Sequence, residues 1–458
     1  MPKAITSSFR AVIVKVMPPF VKKPIKKCLS LAVHLKVFPK KVYMALVLPL
    51  KHERLLTKAK GAEPIRVLFV ASSFASWKVD QVVAAMRTGS RFETTVLLGR
   101  LSNRMGEAIA ADEHRKLSSH FKNKGFDVVD TFNMDDAEIR ETIRQIDPHV
   151  VFITNPHSLI TKALHQEILS QRLTCYVPYH HEVVAYGNNR EQYDQLSHNA
   201  LWKVFAPHQT SRSYYRKIRM KGDKGVVVTG LPACEPLFER SRRFYYHWKS
   251  QAGDKLRIIW APHWLIRPDL KLATIYELGD AMKDLAWRYR DKVEWVMRPH
   301  PFLKPTMVNH PGWGKDKTDE FFKFWTESDF AQIEEGDYID LFQTSDAMIH
   351  DSGSFLAEYL CVDKPVMYLK TETTAENYLN EFGQLALNAC EIGRSIADIE
   401  WFINRLLAGE DPNKDKRKTF INETLMPLYA EPPSQKICQE LIGDFASTTE
   451  QSVQKVHR

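Results

Sequence analysis

Short apolar runs that each end at polar residues are the feature of this chain that most constrains its fold. The clearest of these runs are residues 65–70, 94–98, 150–154, 174–178, 203–206, 226–229, 256–261, 293–297, 347–349 and 366–369. Runs of this length and composition are typical of strands that are buried on both faces of a parallel sheet. Helical patterns separate the runs, so the sequence predicts βαβ units and an α/β fold.

Two of the predicted strands deliver polar side chains that suit a phosphate ligand. The residues that follow the runs at 293–297 and 347–349 include Arg298, His300, Asp351, Ser352, Gly353 and Ser354. Parallel sheets bind ligands at the carboxyl ends of their strands, and a helix that begins at Ser352 or Ser354 would offer free backbone N–H groups to an anion. Gly353 would let a bulky anion approach. Arg298 would chelate phosphate oxygens, and His300 would donate a hydrogen bond or a proton. The alternative is a serine cap on an ordinary helix, with Arg298 at the surface.

Two motifs in the same region carry a family resemblance. They are Arg-Pro-His-Pro at 298–301 and Ser-Asp-(x4)-Asp-Ser-Gly-Ser-Phe-(x2)-Glu-Tyr-(x4)-Lys-Pro at 345–365. Both resemble the donor-diphosphate motifs of the CDP-glycerol glycerophosphotransferase family, the teichoic-acid primases and polymerases, although Ser-Gly stands here where Tyr-Ser is usual. The resemblance implies a GT-B-like fold of two Rossmann-like domains. It also implies a donor site that contains Arg298, His263, Asp351, Ser352, Gly353, Ser354 and Glu358.

Histidines are concentrated at the predicted strand ends, at positions 157, 180, 181, 208, 263, 300 and 350. Near neutral pH a histidine can act as a general base or as a phosphate partner, although any single one is more often structural. The stretch Tyr179–Glu182 resembles the Trp-His-Gly turn in which the family places its first-domain histidine. This resemblance implies His181 or His180 as the catalytic base and leaves the choice between them open. His300 is the third catalytic candidate.

Neither a cofactor nor a metal ion is expected. The first predicted strand is not followed by G-x-G-x-x-G, which argues against a dinucleotide cofactor. A metal site formed by His180, His181 and Glu182 is disfavoured because adjacent residues of a strand point to opposite faces. The six cysteines, at 28, 175, 234, 361, 390 and 438, form no C-x-x-C pair, so we expect free thiols in a reducing compartment.

The positive charge of the chain is concentrated at its N-terminus. Residues 1–60 contain twelve lysines and two arginines against one acid, which gives this segment a net charge of +13. Because the whole chain carries +9, residues 61–458 carry a net charge of −4. A near-neutral body argues against nucleic-acid binding, for which we would expect basic patches on the folded part. Apolar clusters among lysines suit a segment that lies on an anionic membrane surface, and no apolar run in it is long enough to span a bilayer. The alternatives are a disordered basic tail and a helix packed on the body.

The pattern divides the chain into four predicted parts. These are a basic amphipathic segment at 1–62, a Rossmann-like acceptor domain at 63–245, a Rossmann-like nucleotide-donor domain at 254–408 and a helical tail at 409–458. The family resemblance implies that this tail crosses back to the first domain, as in GT-B enzymes.

The resemblance also implies a peripheral transferase at the cytoplasmic face of the cell membrane. It would move glycerol phosphate, or a similar alditol phosphate, from a CDP-alcohol to a lipid-linked glycan or polymer of the cell surface, in teichoic-acid or capsule synthesis, and release CMP. A GT-B glycosyltransferase that uses CMP-Kdo or a UDP-sugar is the alternative within the same fold. A non-catalytic membrane-docked scaffold is the alternative from another class. The donor alcohol, the acceptor, single addition or polymerisation, and the oligomeric state stay open.

Overall fold

Two parallel sheets with helices between their strands form most of the protein. The structure is a computed structural model that describes residues 38–101, 106–156, 161, 168–169, 171–185, 189–239, 241–249, 254–267, 270–370 and 378–447. Strands and helices alternate along both halves of the chain, as the apolar runs predict.

The first sheet contains seven parallel strands in the described part of the chain. They are β1 (Ile65–Ala71), β2 (Phe92–Leu98), β3 (Val128–Asp130), β4 (Val150–Ile153), β5 (Leu173–Tyr176), β6 (Lys203–Ala206) and β7 (Val226–Val228). Their order across the sheet is β3-β2-β1-β4-β5-β6-β7, so the order reverses between β1 and β4. In this register Val67 of β1 lies opposite Thr94 of β2 and Val150 of β4.

The second sheet repeats this arrangement with six parallel strands. The strands of the second half are β8 (Leu256–Ala261), β9 (Ile266–Arg267), β10 (Leu270–Lys271), β11 (Val293–Met297), β12 (Ala331–Ile333), β13 (Ala347–His350), β14 (Val366–Leu369) and β15 (Glu391–Gly393). The sheet order is β12-β11-β8-β13-β14-β15, while β9 and β10 form a separate antiparallel pair. The strand order reverses between β8 and β13.

The helices follow the strands in both halves. In the first half they are α1 (Leu48–Ala59), α2 (Asp80–Arg87), α3 (Glu107–Lys124), α4 (Asp136–Ile146), α5 (Arg190–Tyr193), α6 (Leu196–Ala200) and α7 (Gln209–Ile218). In the second half they are α8 (Ile275–Arg288), α9 (Leu303–Val308), α10 (Gly314–Glu327), α11 (Ile339–Thr344), α12 (Phe355–Glu358), α13 (Glu381–Asn388), α14 (Ile396–Leu407), α15 (Lys414–Phe420), α16 (Met426–Tyr429) and α17 (Pro433–Phe445). Shorter 3-10 segments lie at Pro232–Phe238 and Tyr359–Val362, and π-helical segments at Tyr43–Val47 and Ile421–Leu425. Sequence signals fix some of these starts: the side chain of Asp135 accepts hydrogen bonds from two backbone N–H groups at the start of α4.

Successive residues of the central strands bury their side chains on opposite faces of each sheet. In β1, Val67 and Phe69 belong to the core on one face, and Leu68 and Val70 to the core on the other. The residues of β8 divide in the same way between two cores. This two-sided burial explains why the strands appear in the sequence as continuous apolar runs, and it confirms the predicted α/β class with two Rossmann-like, GT-B-like units. The five cysteines of the described residues are buried free thiols.

The structure describes the predicted N-terminal segment only from residue 38 onward. Residues 1–37, which hold most of the basic residues predicted to bind a membrane, lie outside the described residues. Residues 38–59 are helical and pack on the first sheet, with Leu48 and His52 buried and Lys41 Nζ 2.7 Å from Asp194 Oδ2. This part of the segment therefore takes the alternative arrangement, a helix packed on the body. Among the described residues, no helix is both long enough and apolar enough to cross a bilayer.

Helix α17 brings the end of the chain to the first sheet, as the family resemblance implied. Its residues Ile437, Leu441 and Phe445 join the core beside β1. Lys203 Nζ of β6 lies 2.8 Å from Asp444 Oδ2 of this helix. The two halves of the chain are thus tied together by both the connection after β7 and this terminal helix.

Candidate active site

A cleft lies between the carboxyl ends of the two sheets. Its first-domain wall comes from residues 74–81 after β1, from α3 and from Tyr179 after β5. Its second-domain wall comes from residues that follow β8, β11, β12 and β13. Open α/β sheets bind ligands at this edge, beside the point where the strand order reverses. The cleft is therefore the candidate active site.

The order of the strands brings the predicted donor residues together. Strands β11, β8 and β13 are neighbours, so Arg298, His263 and Asp351 leave the sheet side by side. The backbone N–H of His300 donates to the carbonyl of Pro262 at 3.1 Å, which fixes the segment after β11 against the end of β8. Reasoning from strand ends alone therefore located this edge of the second sheet.

Arg298 presents an unpaired part of its guanidinium to the cleft. Nη2 donates to the carbonyl of Gly336 at 2.7 Å. The guanidinium carbon lies 5.1 Å from the ring centre of Tyr338 and 5.8 Å from that of Phe355. Nη1 is buried and has no hydrogen-bond partner among the described residues. A buried charged donor without a partner is costly, so this atom is suited to an anionic ligand.

Asp351 is a positioning residue, because it is fully buried behind the cleft wall. Its Oδ1 accepts from the backbone N–H of His263 at 2.6 Å, and its Oδ2 accepts from the N–H and the hydroxyl of Thr274 at 2.7 and 2.8 Å. Burial raises the pKa of Asp351 to about 6, although these hydrogen bonds act to lower it. The carboxylate thus joins the end of β13 to the end of β8 and to the start of α8.

Three histidines that follow strands share one local geometry. In each of them Nδ1 accepts a hydrogen bond from the backbone N–H two residues later; the pairs are His180 with Glu182, His263 with Leu265 and His300 with Phe302. A neutral ring in this geometry carries its proton on Nε2 and donates from there. Burial lowers the pKa of His263 to about 4, and burial lowers the pKa of His300 well below its ordinary value. At neutral pH the ring of His300, which lines the cleft, is therefore a hydrogen-bond donor.

The two serines of the Ser352–Ser354 turn lie in the wall of the cleft. Ser352 and Ser354 line the cleft, and α12 begins at Phe355, one residue after the later of the two predicted starts. Gly353 has a different environment: a Cβ added there would lie 3.3 Å from Cγ2 of Val184 in the first domain. The side of this glycine on which a Cβ would lie therefore faces the other domain, and the approach of an anion to its backbone stays a prediction.

The predicted first-domain histidines lie behind the cleft wall. His181 has no exposed surface, and its Nε2 is 3.2 Å from the hydroxyl of Tyr429. Burial lowers the pKa of His181 well below its ordinary value, so the ring is neutral at pH 7. His180 is nearly buried beside Tyr179, which does line the cleft. Within the described residues, no group of three or more His, Cys, Asp or Glu side chains is arranged to hold a metal ion.

Several polar residues of the cleft were not predicted from the sequence. Lys78, between β1 and α2, donates from Nζ to the hydroxyl of Tyr338 at 3.0 Å, and Tyr338 donates in turn to the buried carboxylate of Glu358. His120 of α3 lies with Nε2 2.8 Å from Oδ2 of Asp80. Lys78 and Asp80 lie seven and nine residues after Ala71, the last residue of β1, and therefore beyond the strand-end positions from which the second-domain residues were predicted. His120 and Tyr338 reach the cleft through tertiary packing and have no comparable signal.

The chain matches a family described as CDP-glycerol:poly(glycerophosphate) glycerophosphotransferase over residues 177–423, slightly more than half of its length. Among solved structures it is similar to a Listeria monocytogenes protein described as a UDP-N-acetylglucosamine 2-epimerase, with 16% identity, a TM-score of 0.58, and 83% of this chain and 96% of that chain covered. It is similar to S. aureus MnaA, solved with UDP, with 15% identity, a TM-score of 0.55 and coverages of 82% and 96%. A variant of the wall teichoic acid polymerase TagF soaked with CDPG gives 13% identity, a TM-score of 0.52 and coverages of 93% and 98%. At these identities the structural likenesses establish the fold alone. A comparison with curated proteins gives no match.

Proposed function

Because the chain belongs to the CDP-glycerol:poly(glycerophosphate) glycerophosphotransferase family, we propose that it moves glycerol phosphate from CDP-glycerol to a membrane-linked glycan or polymer and releases CMP. Teichoic-acid synthesis is the process that this reaction would serve. In this proposal the domain at 254–408 binds the donor, and the domain at 63–245 offers the acceptor. The tail at 409–458 then joins the donor domain to the first sheet.

The observation that carries the proposal is the unpaired Nη1 of Arg298, a residue on the same cleft wall as the ring of His300. Both side chains line the cleft, and Ser352 and Ser354 lie on the same wall. A diphosphate supplies several anionic oxygens to such a set of donors. Asp351 and His263 support this set from behind, because the buried carboxylate fixes the relative positions of two strand ends.

The reaction follows from where the donor diphosphate would lie. An acceptor hydroxyl attacks the β-phosphorus of CDP-glycerol, the bond from this phosphorus to the bridging oxygen breaks, and CMP leaves with that oxygen. The product is a phosphodiester between the acceptor and glycerol. Arg298 and His300 would stabilise the charge on the transferred phosphoryl group and on the leaving CMP, so positioning and electrostatics supply the catalysis.

The hydroxyl proton passes to a first-domain histidine in this scheme. Glu182 has a φ of 50°, in a backbone region that favours glycine. This conformation supports alignment of Glu182 with the glycine of the family's Trp-His-Gly turn, and therefore of His181 with its histidine. His181 is enclosed between the two domains and packs on Phe382, so proton transfer to it would require movement at this interface.

We also propose that the N-terminus holds the protein on the cytoplasmic face of an anionic membrane. Five large apolar side chains are exposed on the helical segment at 38–50; they are Phe38 (57%), Tyr43 (50%), Leu46 (67%), Val47 (47%) and Leu50 (56%). Residues 1–37, directly before them, contain seven lysines and one arginine and no acid. Basic residues near such a surface contribute about 1 kcal/mol each, and apolar side chains add an insertion term. This placement would bring a lipid-linked acceptor to the cleft.

A panel of nucleotide donors tests the reaction. Purified protein is incubated with CDP-glycerol, CDP-ribitol, CMP-Kdo and several UDP-sugars, together with a membrane fraction as the acceptor source. The proposal predicts CMP release from CDP-glycerol that depends on the acceptor. Release of UDP, or of CMP from CMP-Kdo, would favour a glycosyltransferase, and no release from any donor would favour a scaffold.

A further inference from the structure

Lys78 is a first-domain lysine whose ammonium reaches the donor wall of the cleft. Its Nζ lies 3.0 Å from the hydroxyl of Tyr338 and 4.2 Å from the centre of that ring. Tyr338 also lies beneath the guanidinium of Arg298. The ring of Tyr338 is therefore contacted by two cations that come from opposite walls of the same cleft.

These two cations lack a direct anionic partner. Within the described residues, neither Lys78 nor Arg298 has a carboxylate oxygen at ion-pair distance, and Nη1 of Arg298 has no hydrogen-bond partner. Two other cations of the cleft wall are paired: Lys116 with Glu335 at 3.0 Å, and Arg242 with Asp340 at 3.0 Å. Burial lowers the pKa of Lys78, and the nearby Glu358 carboxylate only partly offsets this. A half-buried pair of cations in this state gains from an anion bound between them.

We propose that Lys78 and Arg298 hold the donor diphosphate from the two walls of the cleft, so that the first domain supplies part of the donor site. The assignment rests on the proposed function in taking the anion to be a diphosphate. A lysine binds phosphate as a point charge, whereas an arginine contributes directed donors, so the two side chains have complementary roles.

Chemical labelling of the wild-type protein tests the proposal without any substitution. Lysines are acetylated for a short time with and without CDP, and the modified positions are quantified by mass spectrometry. CDP should protect Lys78 and leave Lys317, which pairs with Asp280 at 2.7 Å outside the cleft, unchanged. Equal labelling of Lys78 with and without CDP would overturn the assignment.

Substitution then separates a role in binding from a role in the fold. Lys78→Met should lose most of the CDP-induced rise in melting temperature and lower CMP release from CDP-glycerol by roughly a hundredfold, as for loss of one charge-stabilising donor. Lys78→Arg should keep part of both, because it keeps the charge. Lys317→Met removes an ion pair with Asp280 outside the cleft and should keep both. A Lys78→Met variant with the CDP response and turnover of Lys317→Met would overturn the proposal, even if its melting temperature without ligand were lower.

The two proposals fail in different ways. CDP protection of Lys78 in a protein that releases no CMP from CDP-glycerol would contradict the proposed reaction and support the diphosphate site. Normal CMP release by Lys78→Met would support the reaction and contradict the role of Lys78.

Discussion

Replacing Arg298 with alanine should weaken donor binding more than it weakens the fold. Nη2 is held by the carbonyl of Gly336 at 2.7 Å, whereas Nη1 has no partner in the described residues. One charge-assisted hydrogen bond to a phosphate oxygen is therefore available from Nη1, and such a bond contributes about 1.5–3 kcal/mol. At about 1.4 kcal/mol per tenfold change, its loss should raise the Kd for CDP by roughly 10- to 150-fold.

Thermal and chemical unfolding with CDP measure this change directly. At about 100 times its Kd, CDP stabilises the wild-type protein by about 2.7 kcal/mol, because it binds the folded state only. A hundredfold higher Kd at the same CDP concentration reduces this stabilisation to about 0.4 kcal/mol. Turnover of CDP-glycerol should fall by roughly two orders of magnitude. Arg405→Ala is the control. Arg405 lies on α14, away from the cleft, and its side chain pairs with Glu391 and Glu410.

The reasoning is refuted if Arg298→Ala retains the CDP response and the turnover of Arg405→Ala. A variant that unfolds earlier without ligand but responds normally to CDP would show that Arg298 stabilises the fold through Gly336 and takes no part in donor binding.

Three further predictions concern the base, a buried carboxyl and the N-terminus. His181→Asn should lower turnover by roughly 10²- to 10⁴-fold and keep the CDP-induced stabilisation, because a general base acts on the acceptor; unchanged turnover would reassign the base. Burial raises the pKa of Asp351 to about 6, above the ordinary value of about 3.9, so its favourable contribution to stability is present below about pH 4 and is lost as the pH rises through about 6. The unfolding free energy of the wild type relative to Asp351→Asn should therefore fall by about 2 kcal/mol between pH 4 and pH 7 in denaturant titrations, and a constant difference would contradict this. Removing residues 1–37, while keeping the packed helix at 38–59, should release the protein from anionic vesicles in co-sedimentation at low salt; equal pelleting of both proteins would exclude this anchor.

The central strands could be predicted from the sequence because burial on both faces leaves a continuous apolar run. The runs at 293–297 and 366–369 coincide with β11 and β14. The three-residue strands β3, β12 and β15 were missed, because they are short and lie at or near the sheet edges, where one side is partly exposed. Their assignment depends on the neighbouring strand and not on their own composition.

The second-domain half of the candidate site followed from strand ends, whereas the first-domain half did not. Arg298 and His300 follow a predicted strand and line the cleft. Lys78 gains its importance only from contact with Tyr338, which is 260 positions away in the chain. The environment of Gly353 depends in the same way on Val184 of the other domain. Contacts between domains carry no local periodicity, so a single sequence does not reveal them.

The fate of the β-phosphorus of CDP-glycerol distinguishes phosphoryl transfer from transfer of glycerol alone. CDP-glycerol radiolabelled in its β-phosphate is incubated with the protein and a lipid-linked acceptor, and the nucleotide and polymer fractions are separated. Phosphoryl transfer predicts that the label moves to the acceptor and that the released nucleotide is unlabelled CMP. Label retained in released CDP, with glycerol alone on the acceptor, would contradict the account, because the bond broken would then be the one between glycerol and phosphate.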